Sequence, residues 1–170
     1  IGSARIIKML NVKNDRLVVD AKGIYSIENF LMARRLMYWQ VYLHKTSIAA
    51  EKMLINTLRR AKYLAENGNT LFASPALYYF LYNVIDKHTF ANDPKALQNF
   101  VQLDDNDIWS ALKVWANYPD KVLSLLSSGL INRKLFKIEI EQNPFSHEYQ
   151  ESKIQLFAEK FNLKIHEASY

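Results

Sequence analysis

Ile27-Glu28-Asn29-Phe30-Leu31-Met32-Ala33-Arg34-Arg35-Leu36-Met37-Tyr38-Trp39-Gln40-Val41-Tyr42-Leu43-His44-Lys45 holds neither Gly nor Pro and repeats apolar side chains at helical spacing. Ile27, Phe30, Leu31, Met37 and Val41 build one apolar face, and Ile48, Met53, Leu54 and Leu58 build another further along. The pattern predicts helix from Ser26 to about Glu66, with Ser26 as the cap and Glu28 favouring the positive end of the dipole. Forty residues is long for one globular helix, so a bend or break is expected near Thr46-Ser47. Arg34, Tyr38, Tyr42 and Lys45 stand at i, i+4, i+8 and i+11, within about 80° of arc at 100° per residue. Two cations and two phenols on such a stripe can grip phosphate while stacking on a base or hydrogen-bonding a sugar. Periodicity alone favours a plainer assignment, a half-buried tyrosine face with snorkelling Arg and Lys.

Outward from this stretch the chain reads as mainly α. Residues 5–12 predict a short helix, Asn14-Asp15 a turn, and Arg16 to Val19 a short strand. Asn67-Gly68-Asn69 stops the long helical segment. Shorter helices are expected over 74–86, 93–101, 105–117 and 119–130, the first opened by Pro75. Asp104-Asp105-Asn106-Asp107 lacks the glycine and closing Glu of a calcium loop and reads as a helix N-terminus. Near the C-terminus, alternation over Leu135–Ile140, a helical run over Ser146–Phe161 and a second alternating run over Leu163–Ala168 predict a small β-α-β element. The expected organisation is thus a helical region over 1–134 and an incomplete β-α-β element over 135–170.

With 49% hydrophobic and 23% charged residues, the chain has the composition of a folded globular protein. It has no cysteine, which excludes disulfides, thiolate metal sites and thiol nucleophiles. No apolar run is long enough to span a bilayer. The net charge of +5 is dispersed, a weak signal for nucleic acid. His44, His88, His147 and His166 have no His or Asp neighbour at ligand spacing, and neither a phosphate loop nor a nucleophile elbow occurs. No catalytic residue and no metal ligand is therefore assigned. Trp39, Trp109 and Trp115 sit among apolar residues, and core packing is expected for them. Arg133 and Lys137 would share one face of a strand over 135–140, either as a phosphate clamp or as charges guarding a sheet edge.

The segment from Ile27 to Lys45, preceded by Lys22-Gly23-Ile24, resembles the HD superfamily of phosphohydrolases, in particular the deoxynucleoside triphosphate triphosphohydrolases. Leu103-Asp104-Asp105-Asn106-Asp107-Ile108-Trp109 and Leu130-Ile131-Asn132-Arg133-Lys134-Leu135-Phe136-Lys137 resemble two further motifs of that family in the same order. The resemblance implies a multi-helical, HD-phosphohydrolase-like C-terminal region and a metal-dependent parent enzyme that hydrolyses a dNTP to deoxynucleoside and triphosphate. Its divalent-metal ligands, a His, a His-Asp pair and an Asp, would precede this chain. The chain is then a piece expected to be inactive alone, cytoplasmic, homo-oligomeric and not membrane-bound. The resemblance implies that Arg34 contacts substrate phosphate, that Tyr42 lies beside the sugar and that Tyr38 lines the pocket. It also implies that His44, Lys45, Arg133 and Lys137 bind an effector nucleotide. The rival reading is a non-catalytic helical module that binds nucleic acid or a protein partner.

Overall fold

A computed structural model describes residues 2–170. The chain divides into two compact units, Ile1–Ile48 and Ala49–Tyr170.

The first unit opens with helix α1 (Ser3–Lys8) and an antiparallel hairpin, β1 (Leu10–Lys13) and β2 (Arg16–Val19), paired from Leu10↔Val19 to Lys13↔Arg16. Asn14 and Asp15 form its two-residue loop at φ 51° and 57°. Both tolerate the left-handed region that such a turn requires. The turn prediction holds, and its consequence corrects the helix expected over 5–12. Closing a two-residue loop at 14–15 draws residues 10–13 into pairing with 16–19, so the helix ends at Lys8. A 3-10 turn (Ala21–Gly23) leads into α2 (Ile24–Met37). A Cβ on Gly23 would come within 2.9 Å of Met9 Cβ and Sδ, so only glycine lets the hairpin and the helix start lie this close. Because that turn runs directly into the helix, α2 starts at Ile24 and Ser26 lies inside its first turn rather than at the cap.

The long helix breaks earlier than expected. A π-helical turn, Tyr38–Tyr42, follows α2, and α3 (Lys45–Glu66) starts anew after Leu43 and His44. Leu43 N–H donates to Tyr38 O at 2.8 Å, the i→i+5 bond of a π turn. His44 Nδ1 accepts from Thr46 N–H at 3.2 Å, and this helps to start the new helix.

The second unit holds the core. Met53, Ala61, Leu64 and Ala65 of α3 pack with Leu77 and Leu81 of α4 (Pro75–Tyr82), with Leu112 and Trp115 of α7 (Asp105–Trp115), and with Leu123 and Leu126 of α8 (Lys121–Ile131). Between α4 and α7 lie α5 (Lys87–Asn92) and α6 (Pro94–Gln102). The starts of α4 to α8 are written in the sequence, because Ser74, Asp86, Asp93, Asp104 and Asp120 each accept a backbone N–H at a helix N-terminus. Asp104 and Asp107 complete a reciprocal capping box, as the helix-start reading of that acidic run requires. Trp115 is fully buried and donates Nε1–H to Phe72 O at 3.0 Å, whereas Trp109 is 48% exposed and Trp39 64% exposed. Core packing thus holds for Trp115 alone.

The mainly helical class holds, and the one small sheet among the described residues is the hairpin at 10–19. The β-α-β element does not form. Its helix is present as α9 (His147–Phe161), but 135–140 is not a strand and the last stretch contains α10 (Ile165–Ala168). Two interactions explain this. Glu167 accepts from Lys164 N–H at 3.1 Å, which coils the end of the chain, and it meets Arg60 at 3.2 Å, which ties that coil down. With no second strand to pair with, 135–140 packs by side chains, Phe136 lying edge-on to Phe157 with ring centroids 5.0 Å apart.

Arg60 is 4% exposed and is held by Asp120 through Nε–H···Oδ1 at 3.1 Å and a second nitrogen to Oδ2 at 2.6 Å. The Tyr63 and Tyr170 rings lie 5.3 Å from its guanidinium. The hydrogen bond to Asp120 raises the Arg60 pKa against the opposing effect of burial. Burial would raise the Asp120 carboxyl, but Arg60 and the Leu123 N–H outweigh it and hold Asp120 below the ordinary carboxylate value. No helix among the described residues is long and apolar enough to cross a membrane.

Candidate functional site

The first unit contains a pocket of about 280 Å³ lined by Phe30, Ala33, Arg34, Met37, Tyr38 and Tyr42. Its side chains come from the last turns of α2 and from the π turn. The Arg34 guanidinium lies 5.4 Å from the Tyr38 ring centroid, and the Tyr38 and Tyr42 rings are 5.2 Å apart and tilted by 53°. All three side chains are exposed. Chemically the arrangement offers one forked cation over the Tyr38 phenol, a second phenol tilted beside it, and apolar neighbours, which suits an anion joined to a ring. The structure therefore brings together Arg34, Tyr38 and Tyr42, three of the four residues of the predicted stripe.

Lys45 is not among the lining residues. The stripe assumes 100° per residue throughout, and the π turn breaks that register before Lys45 is reached. Lys45 instead begins α3, beside His44, whose ring nitrogen is engaged with Thr46. Arg35 takes another side of α2, its guanidinium 5.2 Å from the Trp39 ring centroid.

In the second unit, Arg133 and Lys137 are not brought to a common pocket. Arg133 lies just past the C-terminus of α8 at φ 54°, where its N–H donates to Leu130 O at 3.2 Å and the next N–H donates to Gly129 O at 2.8 Å. This pair of bonds ends the helix in the way a glycine usually does. Arg133 lines a pocket of about 330 Å³ with Glu51, Asp105, Trp109 and apolar neighbours. Lys137 lines a different pocket, against α9. The shared face expected of a strand is absent because the strand is absent.

The Arg60–Asp120–Glu167 cluster has no sequence signal, since its members are 60 and 107 residues apart. The π turn is likewise hidden, because its residues carry an ordinary helical pattern. Among the described residues no group of three or more His, Asp or Glu side chains converges as a metal site would need.

Residues 1–72 match the family described as the HD associated region. The chain is 31% identical over 140 residues to the uncharacterized protein YwfO of Bacillus subtilis (strain 168), a match covering 82% of this chain and 30% of that protein. It is also 31% identical over 163 residues to the uncharacterized protein MG461 homolog of Mycoplasma pneumoniae, covering 85% of this chain and 38% of that protein. Among solved structures, a phosphohydrolase from Bacteroides thetaiotaomicron VPI-5482 superimposes with a TM-score of 0.94 at 61% identity, over 99% of this chain and 42% of that one. The chain thus spans 30% and 38% of the curated relatives' lengths. These likenesses support an HD-like phosphohydrolase fold.

Proposed function

We propose that this chain forms the substrate-side wall of an HD-type phosphohydrolase that acts on a deoxynucleoside triphosphate. The observation that carries the reading is the convergence of Arg34, Tyr38 and Tyr42 on one pocket, within the stretch that matches the HD associated region. Arg34 would hold phosphate through its guanidinium, while Tyr42 and Tyr38 would hold the sugar and flank the ring system. The likeness to a protein named as a phosphohydrolase supports hydrolysis as the reaction class.

The reaction implied by the family needs a divalent metal to polarise the phosphate and activate water. The residues described here do not fit that group, since no three carboxylate or imidazole side chains come together. No step through a metal is therefore assigned to this chain, whose own part is binding and orientation. The exposed apolar side chains of α2, among them Leu31, Met32 and Leu36, fit a helix covered by other protein in the assembled enzyme.

The test compares Arg34→Ala with Arg35→Ala in the full-length protein. Losing a charge-assisted guanidinium–phosphate bond costs about 1.5–3 kcal/mol, so kcat/KM for the preferred dNTP should fall roughly ten- to more than a hundredfold in Arg34→Ala. Arg35→Ala should stay within about fivefold, since its contact is an exposed one with Trp39. Equal losses, or a larger loss for Arg35→Ala, would place the wrong face of α2 in the pocket.

A further inference from the structure

A pocket of about 650 Å³ lies between α9 and the segment 135–139 and uses none of the residues of the Arg34 pocket. Its floor is made of Phe136, Phe157 and Phe161. Phe136 lies edge-on to Phe157 at 5.0 Å, and Phe157 and Phe161 lie 4.7 Å apart. Leu156 adds an aliphatic wall that is 60% exposed. Lys153, Leu156, Phe157, Lys160 and Phe161 follow i, i+3, i+4, i+7 and i+8, so one face of α9 carries both the cations and the apolar groups.

The charge is one-sided. Glu139 is the only carboxylate lining this pocket, and Lys153 holds it at 3.1 Å. Lys137 and Lys160 have no ion-pair partner among the described residues. Lys137 also lies near enough to help hold the Glu139 carboxyl below its ordinary value, so three lysines face one carboxylate and leave a net positive rim on an apolar hollow, which calls for a ligand with an anionic head and an apolar body.

The floor distinguishes among such ligands. The three rings are half-buried and packed on one another, so none stands free as a platform for a nucleobase. No lining side chain carries an amide or hydroxyl to read a base edge. An alkyl chain needs neither. We propose that this pocket binds a long-chain alkyl or acyl anion, its phosphate or carboxylate head between Lys137 and Lys160 and its chain over Leu156 and Phe157. Binding of such an amphiphile here requires no nucleotide hydrolysis at the Arg34 pocket.

Isothermal titration of the full-length protein with dodecyl phosphate and octyl phosphate, both below their micelle concentrations, tests it. Each buried methylene should tighten binding roughly three- to fourfold, so the four extra methylenes of dodecyl phosphate should make it bind roughly a hundredfold tighter than octyl phosphate. Inorganic phosphate and dodecyltrimethylammonium should bind at least about tenfold more weakly than dodecyl phosphate. Vesicles of phosphatidylglycerol separate a membrane surface from a free amphiphile, and binding to monomeric dodecyl phosphate without vesicle binding is the expected result. The double variant Lys137→Glu/Lys160→Glu and the single variant Leu156→Asp change only exposed side chains, so both should keep the parent circular dichroism. Each should weaken dodecyl phosphate by about tenfold or more. Four results would overturn the proposal: unchanged binding in both variants, equal affinity for the cationic detergent, vesicle binding without monomer binding, or an oligodeoxythymidine that binds tighter than dodecyl phosphate and is lost in the lysine variant.

Discussion

Replacing Asp120 tests how the second unit is held together, because this one carboxylate does two jobs that substitution can separate. It caps α8 by accepting Leu123 N–H at 2.8 Å, and it makes two of the three charged contacts of the buried Arg60. Loss of an N-cap costs about 1 kcal/mol. Leaving a buried cation without its main partner costs about 3–5 kcal/mol. Glu167, at 3.2 Å, stays behind and places the loss near the lower end of that range. Asp120→Ala should therefore destabilise by about 4 kcal/mol, and Asp120→Ser, which can still cap, by about 3. Adding Arg60→Met to Asp120→Ser removes the orphaned cation and should restore at least about 1 kcal/mol. Urea unfolding followed by circular dichroism measures all three, with the slope checked for constancy across variants. If Asp120→Ser lies within about 0.5 kcal/mol of the parent, or the double variant is no more stable than the single one, the ion pair is not what holds α3 to α8.

Further outcomes follow from the same unit. Asp120 is held low by Arg60 and Leu123 against the effect of burial, and Glu167 is held low by the Lys164 N–H and, less strongly, by Arg60. A carboxylate with a depressed folded pKa contributes stability above its unfolded value, near 4, and loses it as pH falls through the folded value. The urea midpoint should thus be insensitive to these groups at neutral pH and fall below about pH 4, with a shallower fall in Asp120→Ser. Arg133→Gly should stabilise by about 1 kcal/mol, since φ 54° costs a side chain what glycine does not pay, and a lower melting temperature would contradict this. Ser127 Oγ is buried with no hydrogen-bond partner among the described residues, so Ser127→Ala should be neutral or raise stability by up to about 1 kcal/mol in the same urea assay.

What the sequence disclosed, and what it did not, divides along the range of the interactions. Asn14-Asp15, Asp104 to Asp107 and Pro75 act on backbone within a few residues of themselves, and each of these turns and helix starts is where its chemistry puts it. The stripe of Arg34, Tyr38 and Tyr42 is legible for the same reason, since about two helical turns carry it. Failure sets in where a partner is distant. Alternation over 135–140 promises a strand only if another strand lies beside it, and Arg60 draws the candidate partner, through Glu167, into a helix instead. Trp109 reads as core by its neighbours, yet the walls around it leave it 48% exposed over a pocket. Arg133 and Lys137 share a face only if 135–140 is a strand, and without that strand they line different pockets.

The π turn at Tyr38–Tyr42 has a consequence for how this segment tolerates changes of length. A turn closed by i→i+5 bonds holds one residue more than the α-helical turn it replaces, so the backbone stores a spare residue there. Deleting one residue from 38–42 would let the turn relax to ordinary i→i+4 bonding, whereas the same deletion in the middle of α3 would rotate every following side chain by about 100° and scramble the buried row from Met53 to Ala65. Single-residue gaps between this chain and longer proteins of its kind should therefore gather at 38–42. Where such a gap occurs, the two tyrosines would sit three apart rather than four, and the pocket they line would change shape while the helix beyond it stayed in register.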